Sequence, residues 1–275
     1  MGEVRVLGEL RGGITARMLR LRRPGGEDLV LRRWSGEDPG EREAVSREVA
    51  GLDALAATDL PVPRLLAADV TGAEAGVPVT VTTLLPGAVT LMPADRGGWV
   101  RELAGMLARI HAVPVPAALE PCEEWESEDQ SWLETDPGLA REARALAARP
   151  AEPSRAVLAH GDYQHFNVLW QGGRVSGVVD WPTVGRADRG RDTGHCRLNL
   201  AVLFEADVAM DFLDAYEERA GAAVDPAADL RRLLSFGPGW PVFLPRQVDG
   251  RASVDGPGMA ARVRETIRCS LRRAG

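Results

Sequence analysis

Asp162, Asn167 and Asp180 are the residues of this 275-residue chain whose types and spacing best suit chemistry. Around them the sequence predicts a loop, a short strand, a glycine-rich turn at residues 171–173 and a second strand that ends in a carboxylate. Such a hairpin would bring the three side chains to the same end. Two carboxylates and one amide oxygen suit a hard cation that holds a polyphosphate. The segment therefore predicts a site for a metal ion and phosphate groups.

A known family has the same arrangement. A His-Gly-Asp motif that ends at Asp162, followed by Asn167 and by an Asp-Trp pair at Asp180, resembles the aminoglycoside phosphotransferase and choline kinase family, relatives of the protein kinases. The offset between Asp162 and Asn167 equals that in the kinase pattern H-R-D-L-x-x-x-N. The resemblance implies that Asp162 is the catalytic carboxylate and that Asn167 and Asp180 bind magnesium. An ordinary core hairpin with polar ends is the alternative, and it leaves the combined offsets unexplained.

The resemblance also implies an architecture and an activity. It implies an α+β, two-lobed protein-kinase-like fold, with a nucleotide-binding lobe of one antiparallel sheet and one helix at residues 1–86. A larger, mainly helical lobe at residues 87–275 would hold the catalytic and acceptor sites. The implied reaction is Mg²⁺-dependent transfer of the γ-phosphate of ATP or GTP to a small-molecule hydroxyl. An antibiotic such as an aminoglycoside or macrolide is the favoured acceptor. The alternatives are a metabolic alcohol such as choline or homoserine, a nucleotide-binding pseudokinase and a metal-dependent hydrolase.

Two predicted strands near the N-terminus, residues 4–10 and 16–21, enclose Gly12 and Gly13. A glycine-rich turn lets backbone N–H groups approach phosphate oxygens. The resemblance therefore assigns Gly12 and Gly13 to the loop that covers the nucleotide. A two-glycine turn is also common in hairpins that bind nothing, and this alternative stays open.

The basic residue that would hold the nucleotide is an arginine, because the chain contains no lysine. The resemblance places Arg32, on a predicted strand at residues 29–34, where many relatives use lysine to pair with the α- and β-phosphates. The guanidinium suits phosphate oxygens. Arg33 would replace it if the register slipped by one residue. Glu48, on a predicted helix at residues 41–57, would hold Arg32 in place unless it is simply solvated.

The lobe boundary is predicted after strands at residues 63–69 and 77–84, where Leu-Pro-Gly breaks the pattern. In the resemblance this is the hinge, where the backbone around Thr83 and Leu84 would hydrogen-bond the purine. Beyond the central hairpin, helical patterns occupy residues 207–220, 226–235 and 258–273, and a proline- and glycine-rich break lies at 236–241.

The sequence also contains four histidines and an aspartate, Asp192, for which we expect a structural role or find no evident role. His111, at the end of a helical stripe, is predicted to cap carbonyl groups. His160 is predicted to be a hydrogen-bonded structural histidine. The resemblance implies that Asp192 braces the catalytic loop. His165 and His195 have no partner evident from the sequence.

An acidic stretch within residues 120–136 has two interpretations. The favoured one is a solvated loop or helix. The other is a negative wall that attracts a cationic acceptor, with Trp125 or Trp132 stacked on it.

Composition limits the remaining classes. A net charge of −7 and a pI near 5.3 argue against a nucleic-acid partner. No segment is apolar over enough residues to predict a membrane span, and the first residues do not resemble a signal peptide. Three scattered cysteines favour a reduced, cytoplasmic protein, which we expect to be a monomer or a dimer.

Overall fold

The computed structural model describes residues 4–10, 16–117, 119–123, 127, 129–150 and 156–275. Gly12 and Gly13, which were predicted to cover the nucleotide, lie outside the described residues. Among the helices that are described, none combines the length and the apolar character needed to cross a membrane.

The N-terminal part is a five-stranded antiparallel sheet with one helix. Its strands are β1 (Arg5–Glu9), β2 (Arg17–Arg22), β3 (Asp28–Arg33), β4 (Leu65–Asp69) and β5 (Val79–Thr83), in the order β1-β2-β3-β5-β4. Helix α1 (Gly40–Leu55) joins β3 to β4 and buries an apolar stripe that includes Val45, Leu52 and Leu55. On β3 the alternation of a strand turns Arg32 inward and leaves Arg33 exposed. The register therefore selects Arg32 for the interior.

The rest of the described chain is mainly helical, with two short strand pairs between the helices. In chain order it contains α2 (Arg96–His111), α3 (Pro137–Ala147), β6 (Val157–Ala159), β7 (Val168–Gln171), β8 (Arg174–Val178), β9 (Gly185–Ala187), α4 (Arg189–Leu203), α5 (Ala206–Ala220), α6 (Pro226–Leu233), α7 (Trp240–Val248) and α8 (Met259–Ala274). Strand β6 pairs with β9, and β7 pairs with β8. Helix α4 lies at the centre and packs on α5, α6 and α8.

Three of these helices were not predicted. No sequence pattern predicts a helix at residues 137–147 or 189–203, and α7 begins inside the predicted break at 236–241. Helix α4 is buried on every side from Gly190 to Val202, so it has no apolar stripe for a periodicity search to detect. Helix α7 tolerates Pro241 because it occupies the first turn, where the missing N–H has no intrahelical acceptor.

Candidate active site

The central hairpin forms as predicted, and a short 3₁₀ turn at His165–Asn167 precedes it. The backbone N–H of Val179 donates to the carbonyl of Asn167 at 2.9 Å, which closes the base of the β7–β8 pair. Asp180 follows directly and has a φ of 71°, a conformation that is uncommon outside glycine. Strain of this kind persists only where surrounding contacts hold it, and it occurs often at functional sites. The hairpin thus places Asp180 next to the turn that carries Asn167.

Asp162 accepts three side-chain hydrogen bonds. His195 Nε2 lies 2.6 Å from Oδ1. Gln164 Nε2 donates to the same oxygen at 3.0 Å, and Asn167 Nδ2 donates to Oδ2 at 2.9 Å. Burial alone would raise the pKa of Asp162, but the bonds from His195 and Asn167 outweigh burial and lower the pKa. The side chain is 19% exposed, so the carboxylate is ionised, oriented and still reachable.

Asn167 and Asp180 provide the oxygens that a hard cation prefers. The amide nitrogen of Asn167 donates to both the backbone carbonyl and the carboxylate of Asp162. Its amide oxygen therefore remains for another partner. The Asp180 side chain is 40% exposed. Among the residues that the structure describes, no three His, Cys, Asp or Glu side chains converge on a possible metal site. This sparse donor set fits magnesium, which commonly takes one or two protein ligands and completes its shell with phosphates and water.

Arg32 joins the sheet, helix α1 and the hairpin. Its Nη1 donates to Glu48 Oε1 at 3.0 Å, and its Nη2 donates to Asp180 Oδ1 at 2.5 Å. The other Glu48 oxygen accepts from Thr80 Oγ1 at 2.9 Å. Burial raises the pKa of Glu48, and the charge of Arg32 opposes that rise. Both members of the predicted Arg32–Glu48 pair are therefore buried together, and Arg32 also contacts Asp180.

Asp192, on α4, binds the loop that carries Asp162. One carboxylate oxygen accepts from the backbone N–H of Gly161 at 2.8 Å, and the other accepts from that of His160 at 2.7 Å. His111 Nε2 lies 3.1 Å from the second oxygen, and its Nδ1 lies 2.6 Å from the hydroxyl of Tyr216. The prediction that His111 caps carbonyl groups was wrong, because both ring nitrogens face side chains. Burial would raise the pKa of Asp192, yet His111, the His160 side chain and the backbone N–H of His160 lower it to about 2.

His160 and Gly161 shape the loop itself. His160 Nε2 lies 2.9 Å from the carbonyl of Val179, and its Nδ1 accepts from the N–H of Asp162 at 3.3 Å. Gly161 has a φ of 85°, and a Cβ there would lie 2.1 Å from the carbonyl oxygen of Thr183. The geometry therefore requires glycine at this position, where the kinase pattern H-R-D-L-x-x-x-N has arginine.

The predicted hinge residues use their N–H groups within the sheet. Thr83 N donates to the carbonyl of Arg64 at 3.0 Å, and Leu84 N donates to the carbonyl of Asp28 at 3.1 Å. These two donors are consequently engaged by protein. Hydrogen bonds from this segment to a purine would use carbonyl oxygens or a neighbouring N–H, and the purine-binding role of Thr83 and Leu84 stays a prediction.

Only part of the acidic stretch is described, and Trp125 lies outside that part. The described end forms a parallel bridge between Pro121 and Arg186 on β9, and the carbonyl of Pro121 accepts from Arg47 of α1 at 2.8 Å. Trp132 packs edge-on against Phe236 with ring centroids 5.0 Å apart. Protein thus occupies one side of the Trp132 ring, and the alternative in which Trp132 stacks on a cationic acceptor stays a prediction.

Two contacts of Asp162 were missed. No partner for His195 is evident from the sequence, and Gln164 has no predicted role, although both donate to the carboxylate. A signal for His195 was present. It follows Asp192 by three residues, and residues at i and i+3 share one face of a helix. Because Asp192 was already assigned to the loop, the same face of α4 would have carried His195 to that loop.

Known proteins resemble this chain in sequence and in fold. A model of the phosphotransferase enzyme family matches residues 6–236. Viomycin phosphotransferase from Streptomyces vinaceus is 33% identical over 179 residues, which make up 56% of this chain and 60% of that protein. Amicoumacin kinase hAmiN, solved with AMP-PNP, Ca²⁺ and Ami, has a TM-score of 0.63 at 17% identity, with 99% of this chain and 92% of that chain covered. Macrolide 2'-phosphotransferase MphH from Brachybacterium faecium has a TM-score of 0.57 at 21% identity, with 95% and 92% covered. The predicted two-lobed, kinase-like α+β fold is confirmed.

Proposed function

This chain belongs to the phosphotransferase enzyme family, and we propose that it transfers the γ-phosphate of ATP or GTP to a hydroxyl of a small-molecule antibiotic. Residues 1–86 bind the nucleotide in this proposal, and residues 87–275 bind the acceptor. The proposal is supported by the hairpin, in which Asn167 donates to Asp162 and Val179, the residue before Asp180, donates to the carbonyl of Asn167. Arg32 donates to Asp180 from the sheet.

Arg32, Glu48 and Asp162 have separate roles in this proposal. Arg32, held by Glu48, binds the phosphates that stay on the nucleotide. Asp162 orients the acceptor hydroxyl toward the γ-phosphate and takes up its proton. Placement of the two reactants and electrostatic stabilisation supply most of the rate enhancement in phosphoryl transfer.

Asn167 and Asp180 are the residues that would hold magnesium. When bound, the ion would offset negative charge on the phosphate oxygens. Their amide and carboxylate oxygens match its preference for oxygen ligands.

An antibiotic acceptor is supported by the relatives. The names of two relatives describe antibiotic acceptors: one is viomycin phosphotransferase from Streptomyces vinaceus, and the other is the macrolide 2'-phosphotransferase MphH. A nucleotide substrate is supported by hAmiN, which was solved with AMP-PNP. Asp162, Asn167, Asp180 and Arg32 are all present together, so the pseudokinase alternative has no missing group to support it.

The test is phosphoryl transfer by purified protein with Mg²⁺ and ATP or GTP, across viomycin, aminoglycosides, macrolides and amino-alcohols. Mass spectrometry of the acceptor should show the gain of one phosphoryl group. Asp162→Asn should still bind nucleotide and should lose about 10²- to 10⁴-fold in kcat. Asp211→Asn, an exposed substitution of the same kind on α5, should keep wild-type kcat. Near-normal turnover by Asp162→Asn would refute the role of that carboxylate, and absence of product with every acceptor would refute the function.

A further inference from the structure

His195 is a buried histidine that contacts the proposed catalytic carboxylate from a helix outside the central hairpin. Its side chain is 6% exposed, and its Nε2 lies 2.6 Å from Asp162 Oδ1. His195 lies on helix α4 (Arg189–Leu203), which is buried along almost its entire length. The contact therefore depends on the packing of a rigid element and not on a mobile loop.

The other side of the His195 ring determines which nitrogen carries the proton. Arg232 Nη2, on α6, lies 3.3 Å from His195 Nδ1. A guanidinium has only donors, so Nδ1 presents its lone pair to Arg232 and the ring proton resides on Nε2. Asn199 Nδ2 lies 3.2 Å from Nε2 but donates to the backbone carbonyl of His195 at 3.0 Å. His195 is consequently a neutral donor to Asp162.

The charged groups around His195 agree with this tautomer. Burial lowers the pKa of His195 most, Asp162 raises it, and Arg232 and Arg191 lower it again, so the net direction is down. A second ring proton would point at a guanidinium, which is the unfavourable arrangement. The ring thus keeps one orientation and one donor.

The two carboxylate oxygens of Asp162 accept different numbers of hydrogen bonds. A carboxylate oxygen has about two lone-pair positions. Oδ1 receives His195 and Gln164, so both of its positions are occupied. Oδ2 receives only the amide of Asn167 among the described contacts, so one position stays available.

We propose that His195 is a positioning residue that, with Gln164, holds Asp162 through Oδ1 and so directs Oδ2 to the acceptor hydroxyl. This inference rests on the proposed phosphotransferase function. In the step itself, the acceptor oxygen forms a bond to the γ-phosphorus and its proton passes to Oδ2. The bond between the γ-phosphorus and the bridging oxygen breaks, and the nucleoside diphosphate leaves with that electron pair.

The physical reason is the soft torsion of a carboxyl group. Rotation about χ2 of aspartate is broad, so an Asp162 without donors on Oδ1 would sample orientations that do not meet the hydroxyl. Arg32 and Glu48, which hold the nucleotide in the proposed function, lie on β3 and α1 and not on α4. Loss of His195 should therefore affect kcat and leave the KM for nucleotide unchanged.

Two substitutions separate this role from simple packing. His195→Leu removes the donor at similar volume, and His195→Gln keeps an amide N–H at similar reach. We expect His195→Leu to lower kcat about 10- to 100-fold, as a small displacement of a catalytic group does. We expect its KM for nucleotide to stay within about twofold of wild type, because the lost interaction concerns the transition state. His195→Gln should recover most of the lost kcat.

Cys196→Ala is the control, because Cys196 is the next residue on α4 and is equally buried. It should lower the thermal unfolding temperature and leave kcat unchanged. Equal kcat for wild type and His195→Leu would overturn the positioning role, as would a His195→Gln variant no more active than His195→Leu. If wild type itself transfers no phosphate, the proposed function has failed.

A measurement that needs no acceptor tests the same assignment. The ¹⁵N shifts of the His195 ring, assigned by comparison with His195→Gln, should report the neutral Nε2–H form at neutral pH. An Nδ1–H form, which leaves no proton on Nε2 to donate to Asp162, would overturn the proposal whether or not an acceptor is known.

Discussion

Arg32 donates to Asp180 across 148 residues of sequence, with Nη2 and Oδ1 2.5 Å apart. One residue lies on the central strand of the sheet and the other follows the hairpin of the helical part. Because Glu48 binds the same guanidinium, the two parts of the molecule share one arginine at the proposed phosphate site. Arg32 therefore lies at the proposed phosphate site and contacts Asp180, the proposed metal ligand.

Arg32→Met should be strongly destabilising. It leaves Glu48, which is 6% exposed, without its cation, and removal of one partner of a buried ion pair costs about 3–5 kcal/mol. Chemical unfolding would measure this loss. Arg33→Met, one residue away and exposed, should change stability by less than about 0.5 kcal/mol. Similar losses for the two variants would contradict the burial of the Arg32–Glu48 pair.

Asp180→Asn should raise the Mg²⁺ concentration that is needed for half-maximal transfer. An amide supplies one neutral oxygen where the carboxylate supplies a charge, and hard cations prefer charged oxygens. The measurement is a magnesium titration of initial rate at fixed nucleotide. Asp188→Asn is the comparison, since Asp188 caps α4 by accepting from Gly190 N and asparagine is an equally good cap. An unchanged magnesium requirement in Asp180→Asn would remove Asp180 from the metal site.

Gly161→Ala should disrupt the catalytic loop. The added Cβ would lie 2.1 Å from the carbonyl of Thr183, and the residue would keep a φ of 85°. Gly172→Ala provides the backbone strain alone, because φ is 59° there and no atom lies within 4 Å of the new Cβ. We expect Gly172→Ala to cost about 1–2 kcal/mol, the penalty for a left-handed residue. Gly161→Ala should cost more and should also lower kcat. Equal costs would show that the loop can move away from Thr183.

Asp192 should contribute stability that depends on pH. Its pKa of about 2 in the folded protein lies below the ordinary value of 3.8, so the folded state favours the ionised form. This contribution is complete above about pH 4 and is lost as the pH falls toward 2, with a slope of up to about 1.4 kcal/mol per pH unit. Asp192→Asn should be less stable at neutral pH and flatter between pH 4 and 2. Urea unfolding over this range measures both, with the exposed Asp211→Asn as control.

The residues of the central segment could be predicted because their relationships are local. Asp162 and Asn167 lie five residues apart in one loop, and the hairpin that follows fixes where Asp180 emerges. The resemblance implied Arg32 and Glu48, and in the structure strand alternation turns Arg32 inward while helical spacing places Glu48 beside the buried face of α1. In each case the periodicity of one element determines the direction of a side chain.

The tertiary structure alone decided the partners of the histidines and the availability of the hinge. Helix α4 is buried on all sides and its polar groups point inward, so no periodic pattern of apolar residues predicts it. The contact of His195 with Asp162 was therefore not predicted either. The N–H groups of Thr83 and Leu84 are engaged by Arg64 and Asp28, which follows from strand pairing and not from their own residue types. Local sequence determines which way a side chain points along its own element. What it meets there depends on how distant elements pack, because a buried polar group is satisfied by whichever partner the packing brings within reach.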